Sequence, residues 1–302
     1  MTIAKRIVIT GAGGQVGRFL AKMAEQRGHQ VAAYTSAQWD ITDPQAAQRC
    51  LAPWAGQHVT VVNCAAFTAV DAAEKDPDRA WAVNAAGAEN IAQACAQVGA
   101  HLIHISTDYV FSGAFTAVPR PYEPDDQTGP RSVYGRTKLA GELAVLAALP
   151  EANVVRTAWV YTGAAGGSDF AALMRAKAAA GDTVDVVADQ IGSPTYVGDL
   201  CVALLELADG TIREPVLHAV NSGPASRFDQ ARAVYAAVGA DPQLVRPVGT
   251  EAHPRPAPRP AYSALGAQLS ARAGLTPLRP WQDALAEALG QAGSGGPLPS
   301  TP

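Results

Sequence analysis

The sequence predicts an α/β protein built on a doubly wound parallel sheet, with a smaller C-terminal lobe. Three observations support this fold class. Short β-branched apolar runs alternate with amphipathic helical patterns over the first 160 residues. A glycine-rich turn joins the first of these runs to the first helical pattern. The length of 302 residues is sufficient for a large α/β core and a second lobe.

The first half of the chain gives the order of the predicted elements. We expect strands at 6–10, 30–34, 59–64, 101–106 and 153–160, where the runs are short and apolar. We expect helices at 15–27, 44–52, 77–98 and 132–148. Strands that alternate with helices in this way form parallel pairs joined by helical crossovers. The expected sheet is therefore of the Rossmann type.

The turn after the first strand contains Gly11, Gly14 and Gly17 in a G-x-x-G-x-x-G spacing, with Gln15 and Val16 between the last two. Glycines permit a tight turn and let backbone N–H groups reach a pyrophosphate at a helix N-terminus. A strand, a glycine loop and a helix in this order form the context of a dinucleotide-binding fingerprint. The alternative is a glycine-rich turn without a ligand, and the flanking strand and helix argue against it.

The predicted domain boundary follows from this motif. Residues 1–160 are expected to form the dinucleotide-binding domain, and residues 161–290 mainly the substrate-binding lobe. Part of the segment 183–203 is expected to return to the first domain. Residues 291–302 are rich in Gly, Ser and Pro, and we expect them to be disordered.

Tyr134 and Lys138 lie four residues apart in a predicted helix, so they project from one face, one turn apart. Free tyrosine has a pKa of about 10, and a neighbouring ammonium is expected to lower that pKa. Thr107, at the end of the strand predicted at 101–106, supplies a hydroxyl that can polarise a carbonyl group. Together they can reduce a ketone with a hydride from nicotinamide. The alternatives are a chance Tyr-x-x-x-Lys spacing and a threonine that merely caps a strand.

The ends of the other strands concern the cofactor, because ligands of open α/β sheets bind outside the carboxyl ends of the strands. An acid after the second strand would bind a ribose 2′-hydroxyl, but Tyr34 and its neighbours are neutral, so NADPH is expected, with NADH as the alternative. Asp40 and Ile41 are expected to meet the adenine; for Asp40 the alternative is a helix cap. The small residues Ala65 and Ala66 would let the backbone approach the cofactor.

Charge and cysteine content limit the partners and the compartment. The net charge of −4 implies no general affinity for nucleic acid. No apolar stretch is long enough to cross a bilayer, and no signal peptide is recognised. The four cysteines contain no C-x-x-C pair and are expected to be reduced and buried: Cys50, Cys64, Cys95 and Cys201. We therefore expect a cytoplasmic protein without nucleic-acid or membrane partners.

Seven motifs resemble those of the dTDP-4-dehydrorhamnose reductase family, within the extended short-chain dehydrogenase/reductase superfamily. They occur in the family's order at 14–17, 62–71, 106–111, 133–142, 156–161, 189–195 and 259–265. They cover nearly the whole chain, and they are most similar to the actinobacterial type. The resemblance implies reduction of the 4-keto group of dTDP-6-deoxy-L-lyxo-4-hexulose to dTDP-L-rhamnose, a cell-wall and polysaccharide precursor.

The resemblance also implies roles for the matching positions around the sugar. Tyr134 would protonate the C4 oxygen, and Lys138 would hold the nicotinamide ribose and tune Tyr134. Thr107 would hydrogen-bond the sugar, with Asp108 beside it. Trp159 matches a position that lines the substrate pocket, with ordinary core packing as the alternative.

Further matches concern the cofactor and the diphosphate of the substrate. Gly14, Gln15 and Val16 match the pyrophosphate loop, residues 40–41 match the adenine contacts, and Ala66 to Thr68 would lie under the cofactor. Arg259 is the candidate for the substrate diphosphate, because a guanidinium fork suits phosphate. The alternative for Arg259 is a solvated arginine in a proline-rich loop.

One departure from the family concerns a metal ion. Some members bridge a dimer through Mg²⁺ held by glutamates, one of which follows the glycine loop. This chain has Phe19 at that place, and residues 190–200 contain no glutamate. A site poor in carboxylates holds Mg²⁺ weakly. We therefore expect no structural metal, and a monomer.

Alternative functions remain open on the sequence alone. Another nucleotide-sugar ketoreductase or an epimerase would share the fold and the Tyr–Lys pair, although an epimerase would consume no cofactor. The family also has non-catalytic relatives that serve as regulatory subunits of methionine adenosyltransferase. That alternative predicts loss of the Tyr–Lys pair, and both residues are present here.

Overall fold

The computed structural model describes residues 4–115 and 118–290. The strands are Arg6–Thr10 (β1), Gln30–Tyr34 (β2), Val59–Asn63 (β3), His101–Thr107 (β4), Asn153–Thr157 (β5), Val160–Tyr161 (β6), Val184–Val187 (β7), Ile191–Gly192 (β8), Thr195–Tyr196 (β9), Val216–His218 (β10), Asn221–Ser222 (β11), Ala225–Ser226 (β12), Val245–Val248 (β13) and Leu278–Pro280 (β14). The α-helices are Gln15–Gln26 (α1), Pro44–Leu51 (α2), Val70–Lys75 (α3), Pro77–Trp81 (α4), Gly87–Val98 (α5), Val133–Ala148 (α6), Phe170–Ala180 (α7), Val197–Leu207 (α8), Arg227–Ala237 (α9), Gln268–Arg272 (α10) and Trp281–Gly290 (α11). The predicted disorder of residues 291–302 lies outside the described residues.

Six strands form one parallel sheet in the order β10-β5-β4-β3-β1-β2. Ile7 of β1 lies between Val31 of β2 and Thr60 of β3. The chain forms β2 on one side of β1 and then crosses to form β3 on the other side. Such a reversal opens a crevice at the carboxyl ends of the strands, where ligands bind. The predicted doubly wound fold is confirmed.

Helices cover both faces of this sheet. α1 packs against α8 on one face, whereas α2 packs against α5 and α5 against α6 on the other. Ile7 and Ile9 belong to the core on the α1 side, and Val8 belongs to the core on the α5 side. Alternate residues of a strand point to opposite faces, so a strand buried on both faces is a continuous apolar run.

Two predicted elements differ from the structure. The helix predicted at 77–98 consists of α4, a π-helical turn at Ala82–Ala86, and α5. The strand predicted at 153–160 ends at Thr157, because Trp159 has a φ of +46° and interrupts the extended backbone. A left-handed backbone is rare for a bulky residue, and both kinds of irregularity often mark functional positions.

The second half of the chain contributes to more than one layer. α8 packs on α1, and β10 extends the main sheet beside β5. Shorter strands pair separately, as β7 does with β13, and α7 packs against α9. The segments of the second half that pack with the main sheet therefore extend to β10, beyond the predicted range of 183–203. The division near residue 160 stays a prediction.

The four cysteines are free thiols, and no helix within the described ranges has the length and apolar character needed to cross a membrane. Cys95 and Cys201 are buried, as expected, whereas Cys50 and Cys64 are only half-buried.

Candidate active site

Tyr134, Thr107 and Lys138 meet where β4 ends and α6 begins. The hydroxyl of Ser132 caps α6 by accepting a hydrogen bond from the Gly135 N–H at 3.1 Å, which places Tyr134 in the first turn. The Tyr134 hydroxyl is hydrogen-bonded to the Thr107 side chain. Residues from two distant motifs therefore form one cluster.

Lys138 lies one turn further along α6 and is only 2% exposed. Its Nζ donates to the carbonyl oxygen of Ile105 at 2.7 Å and lies 3.5 Å from Nε2 of His104. Burial lowers the pKa of Lys138 to about 8, and the Glu142 carboxylate opposes this change. Burial raises the pKa of Tyr134 above its usual value. The expected lowering of the Tyr134 pKa is absent. Burial disfavours the phenolate, and the Lys138 ammonium donates to the Ile105 carbonyl instead.

Asp108 follows Thr107 and is buried between two hydroxyl groups. Its Oδ1 accepts a hydrogen bond from Oγ1 of Thr107 at 3.0 Å, and its Oδ2 accepts one from Oγ of Ser263 at 2.5 Å. Burial raises the pKa of Asp108 to about 6. Asp108 therefore links the cluster to a loop from the far end of the chain.

Close packing holds α6 in this position. A Cβ on Gly135 would lie 2.2 Å from a carbonyl oxygen of the turn after β4, and one on Gly141 would lie 2.1 Å from that of Asn84. The Asn84 amide donates to the Phe67 carbonyl at 3.1 Å and to Oγ1 of Thr137 at 3.0 Å, and it accepts from the Phe67 N–H at 2.8 Å. The π-helical turn that carries Asn84 thus joins α6 to the loop after β3.

A buried ion pair joins α6, which carries Tyr134 and Lys138, to the neighbouring strand β5. Arg156 of β5 donates to both carboxylate oxygens of Glu142, with the shortest distance 2.7 Å, and the two side chains are 5% and 3% exposed. Oγ of Ser106 donates to the same carboxylate at 2.5 Å. The guanidinium also lies over the Phe111 ring. These contacts fix α6 against β4 and β5.

The glycine loop forms a cradle at the N-terminus of α1. Gly14 is the N-cap, so no side chain occupies the end of the helix. Gly11 has a φ of +65°, and a Cβ there would lie 2.6 Å from the Ala65 nitrogen. A Cβ on Gly17 would lie 2.5 Å from the Gly11 carbonyl oxygen. Backbone N–H groups at a helix N-terminus bind anions, so these residues fit the pyrophosphate of a dinucleotide.

The other predicted cofactor residues occupy the elements around this cradle. Gln15 and Val16 begin α1, while Ala66 and Thr68 lie in the loop after β3, the strand next to β1. Asn63, at the end of β3, orders this loop by accepting a hydrogen bond from the Ala65 N–H at 3.1 Å. The loop therefore follows the strand beside the crevice.

Residues 40–41 lie in the segment that joins β2 to α2. The Asp40 carboxylate accepts hydrogen bonds from the Thr42 N–H at 2.9 Å and from its hydroxyl at 2.8 Å, and Asp43 is the residue that caps α2. The Ile41 side chain is buried, and a Cβ on Gly87 would lie 2.8 Å from it. The Ile41 side chain is therefore committed to the core, and the adenine contact stays a prediction.

A cavity of about 430 Å³ lies beside Asp108 and is rich in cationic and aromatic side chains. These lining residues are Tyr109, Trp159, Phe170, Arg227, Arg255 and Arg259. Asp185 and Ser263 also contribute to its wall. A cationic, partly aromatic cavity of this kind suits an anionic ligand that carries a ring.

Trp159 lines this cavity between two neighbours. The Arg227 guanidinium lies 3.6 Å from the centre of the Trp159 ring, and 4.9 Å from that of Phe170. On β8, a Cβ on Gly192 would lie 2.4 Å from the indole. Burial lowers the pKa of Arg227 to about 10, so Arg227 remains a cation at neutral pH. Trp159 is thus both packed and exposed to the cavity.

Arg259 is bound to a carboxylate. Its two terminal nitrogens donate to the two oxygens of Asp71 in α3, each at 2.9 Å, and Asp71 also accepts from the Ala257 N–H at 3.2 Å. Arg255 lies 3.9 Å from the same carboxylate. A substrate diphosphate would therefore compete with Asp71 for Arg259.

Phe19, at the position of the family's metal-binding glutamate, packs edge-to-face on Tyr196 at 6.1 Å. Across residues 4–115 and 118–290, no group of three or more His, Cys, Asp or Glu side chains is placed to hold a metal ion.

No local sequence pattern indicates a role for Arg227, Ser263 or Asn84. Ser226 and Asp229 form a capping box that marks the start of α9, a signal readable from the sequence. That signal locates Arg227 in the first turn, but only the folded chain shows that it reaches Trp159. Ser263 lies within the motif at 259–265, yet its hydrogen-bond partner Asp108 is 155 residues away.

A parallel sheet with a glycine cradle at its reversal point, and a Tyr–Lys pair at the adjacent strand end, define the class of short-chain dehydrogenase/reductases. Comparisons with known proteins are more specific. The family model described as RmlD substrate binding domain matches residues 5–293. The chain belongs to the dTDP-4-dehydrorhamnose reductase family and is an oxidoreductase.

Individual relatives agree with this assignment. The dTDP-4-dehydrorhamnose reductase of Mycolicibacterium smegmatis is 61% identical over 305 residues, covering 99% of this chain and 90% of the relative. That of Streptomyces griseus is 45% identical over 303 residues, covering 97% of each chain. The crystal structure of the Bacillus anthracis enzyme in complex with NADP has a TM-score of 0.88 and 34% identity, covering 96% of this chain and 100% of that one. The resemblance to the actinobacterial type is confirmed.

Proposed function

We propose that this protein reduces the 4-keto group of dTDP-6-deoxy-L-lyxo-4-hexulose to dTDP-L-rhamnose with NADPH, or with NADH in its place. The observation that carries the proposal is the position of Tyr134. Its hydroxyl is hydrogen-bonded to Thr107 at the end of β4, and its ring packs edge-to-face on Tyr109, which lines the arginine-rich cavity. The reaction needs a proton donor between a dinucleotide site and a sugar-nucleotide site.

The cradle side would hold the cofactor. The N-terminus of α1 and the glycine loop suit a pyrophosphate, and the loop of Ala65, Ala66 and Thr68 would lie under the rest of the molecule. A bound reduced nicotinamide would supply the hydride. Tyr34 at the end of β2 offers no carboxylate to repel a 2′-phosphate, which supports NADPH.

The protein's own groups would manage the proton. Burial keeps the Tyr134 phenol protonated, so it can donate to the C4 oxygen as negative charge develops there. Thr107 would hold that oxygen close to Tyr134. Lys138 would hold the nicotinamide ribose and, as an ammonium, stabilise the phenolate that proton transfer leaves.

The cavity side would hold the substrate. Arg227 and Arg259 present guanidinium groups that suit the two phosphates of a dTDP sugar. Trp159 supplies an apolar surface beside Arg227. Asp108 completes the polar contacts on the sugar side.

The proposal includes a cytoplasmic monomer that needs no metal ion. The free cysteines support a reducing compartment. Phe19 in place of a glutamate supports a chain that does not assemble through Mg²⁺.

The test supplies freshly prepared dTDP-6-deoxy-L-lyxo-4-hexulose with NADPH or NADH and follows the loss of absorbance of the reduced cofactor. We expect one cofactor oxidised per sugar reduced, and faster turnover with NADPH. Sugar conversion without net cofactor loss would indicate an epimerase. No reaction of this sugar alongside rapid reduction of its C5 epimer would indicate a different ketoreductase.

A further inference from the structure

We propose that Ser263 and Asp108 form, with Thr107, a path that returns a proton from the water of the cavity to Tyr134 after each turnover. The inference rests on the proposed function, because it concerns how the same tyrosine is reprotonated. It assigns a role to Ser263 and makes Asp108 a relay as well as a neighbour of the substrate.

The path is continuous in the structure. Ser263 lies in the cavity wall and donates to Oδ2 of Asp108 at 2.5 Å. The other carboxylate oxygen accepts from Oγ1 of Thr107 at 3.0 Å. A threonine hydroxyl has one proton, so Oγ1 acts as an acceptor toward the Tyr134 hydroxyl. When Asp108 is protonated and Tyr134 is a phenolate, the two hydrogen bonds of Thr107 reverse, and each neighbour can then pass a proton toward Tyr134.

The surroundings of Asp108 favour proton exchange. Its hydrogen-bond partners are two hydroxyls rather than a cation, and its burial disfavours a fixed carboxylate. Arg227, Tyr109 and Tyr134 are the titratable groups facing it. Arg227 favours the carboxylate, yet burial prevails and raises the pKa of Asp108 to about 6. Such a group both gains and loses a proton readily near neutral pH.

Lys138 is directed elsewhere in this arrangement. Its Nζ donates to the Ile105 carbonyl oxygen and lies 3.5 Å from Nε2 of His104. The Tyr134 hydroxyl is hydrogen-bonded to Thr107. The Thr107–Asp108–Ser263 path is therefore already assembled in the unliganded protein.

The proton balance of the cycle is complete. Tyr134 gives its proton to the C4 oxygen as hydride reaches C4, which leaves a phenolate and an oxidised cofactor. Thr107 then gives its hydroxyl proton to the phenolate and takes one from protonated Asp108. Asp108 regains a proton through Ser263, which takes one from cavity water. The net reaction consumes one reduced cofactor, one proton and one keto sugar.

The test is Asp108→Asn, whose amide oxygen still accepts from one hydroxyl while its NH2 donates to the other, and which cannot relay a proton. Rapid-mixing kinetics at saturating sugar should show a first turnover much faster than the later ones, because Tyr134 begins protonated. Later turnovers should slow on the order of 10²-fold, within the range for general acid–base steps. Ser263→Ala should show a smaller difference between the first and later turnovers. Asp209→Asn, which replaces an exposed carboxylate, should show no such difference.

A second readout does not depend on turnover. Infrared difference spectra of the unliganded protein should contain a carboxyl C=O band that titrates near pH 6 and is absent in Asp108→Asn. Equal slowing of the first and later turnovers, or no slowing of either, would overturn the relay. Failure of the wild-type protein to reduce the sugar would instead contradict the proposed function.

Discussion

At the scale of single residues, burial determines what Tyr134 can do. Removing the phenol from water disfavours the phenolate and raises the pKa of Tyr134. The side chain therefore keeps its proton until negative charge develops on the C4 oxygen. Burial acts in the opposite sense on Lys138, whose pKa falls to about 8. The pair therefore suits a reductase, which must donate a proton rather than take one.

Replacing Tyr134 by phenylalanine tests this role. Tyr134→Phe should lower kcat on the order of 10²- to 10⁴-fold, the range for a general acid, while the dissociation constant of the cofactor changes little. The measurements are steady-state kinetics and a fluorescence titration. Tyr235→Phe is the control, since that hydroxyl donates to the Asp182 carbonyl in another part of the molecule. An unchanged kcat in Tyr134→Phe would mean that the proton comes from another group.

The sequence predicted the members of this cluster but not their partners. Thr107, Tyr134 and Lys138 belong to local motifs, and strand and helix periodicity places them at neighbouring ends. The bonds of Asp108 to Ser263 and of Arg259 to Asp71 join segments far apart in the chain. Such contacts depend on tertiary packing, which no local pattern encodes.

At the scale of elements, the approach of α1 to β1 requires a glycine at position 17. Gly17→Ala would place a Cβ 2.5 Å from the Gly11 carbonyl oxygen and so distort the cradle. Overpacking costs about 1–3 kcal/mol, so the affinity for NADPH should fall roughly tenfold or more. Calorimetry measures the affinity. Gly290→Ala, where nothing lies within 4 Å, should bind NADPH normally. Equal affinities of the two variants would argue against the cradle.

The Glu142–Arg156 pair is a buried polar link between α6 and β5. Glu142→Gln should destabilise the protein by about 3–5 kcal/mol, because it leaves the Arg156 guanidinium buried without its counter-charge. Denaturant unfolding gives this difference in the free energy of unfolding. Asp182→Asn removes an exposed partner of Lys177 and should have a much smaller effect. Similar losses in both variants would refute the claim that the buried pair fixes α6.

Most elements of the first half of the chain could be predicted from the sequence, because each carries its own apolar period and turn residues. The π-helical turn at Ala82–Ala86 could not, since its residues suit an ordinary helix and only the packing against α6 shows the difference. The end of β5 could not be predicted either, because no local sequence pattern indicates that Trp159 has a positive φ. β10 is too short for its pattern to distinguish it from a loop.

At the scale of the whole molecule, the reversal of strand order at β1 places the cradle and the cluster at the same edge of the sheet. The arginine-lined cavity adjoins the cluster through Tyr109 and Ser263, and we propose that hydride donor and keto sugar meet at Tyr134. We propose that this arrangement works without a metal ion. EDTA should leave both kcat and the sedimentation coefficient unchanged. Loss of activity or a change of mass on chelation, reversed by Mg²⁺, would contradict the predicted metal-free monomer.

The most direct test of the central claim is the fate of the transferred hydrogen. NADPH that carries deuterium at the transferable position is incubated with dTDP-6-deoxy-L-lyxo-4-hexulose, and the product is examined by NMR. We expect dTDP-L-rhamnose with deuterium at C4. A product with the opposite configuration at C4, or dTDP-L-rhamnose without deuterium at that carbon, would contradict it.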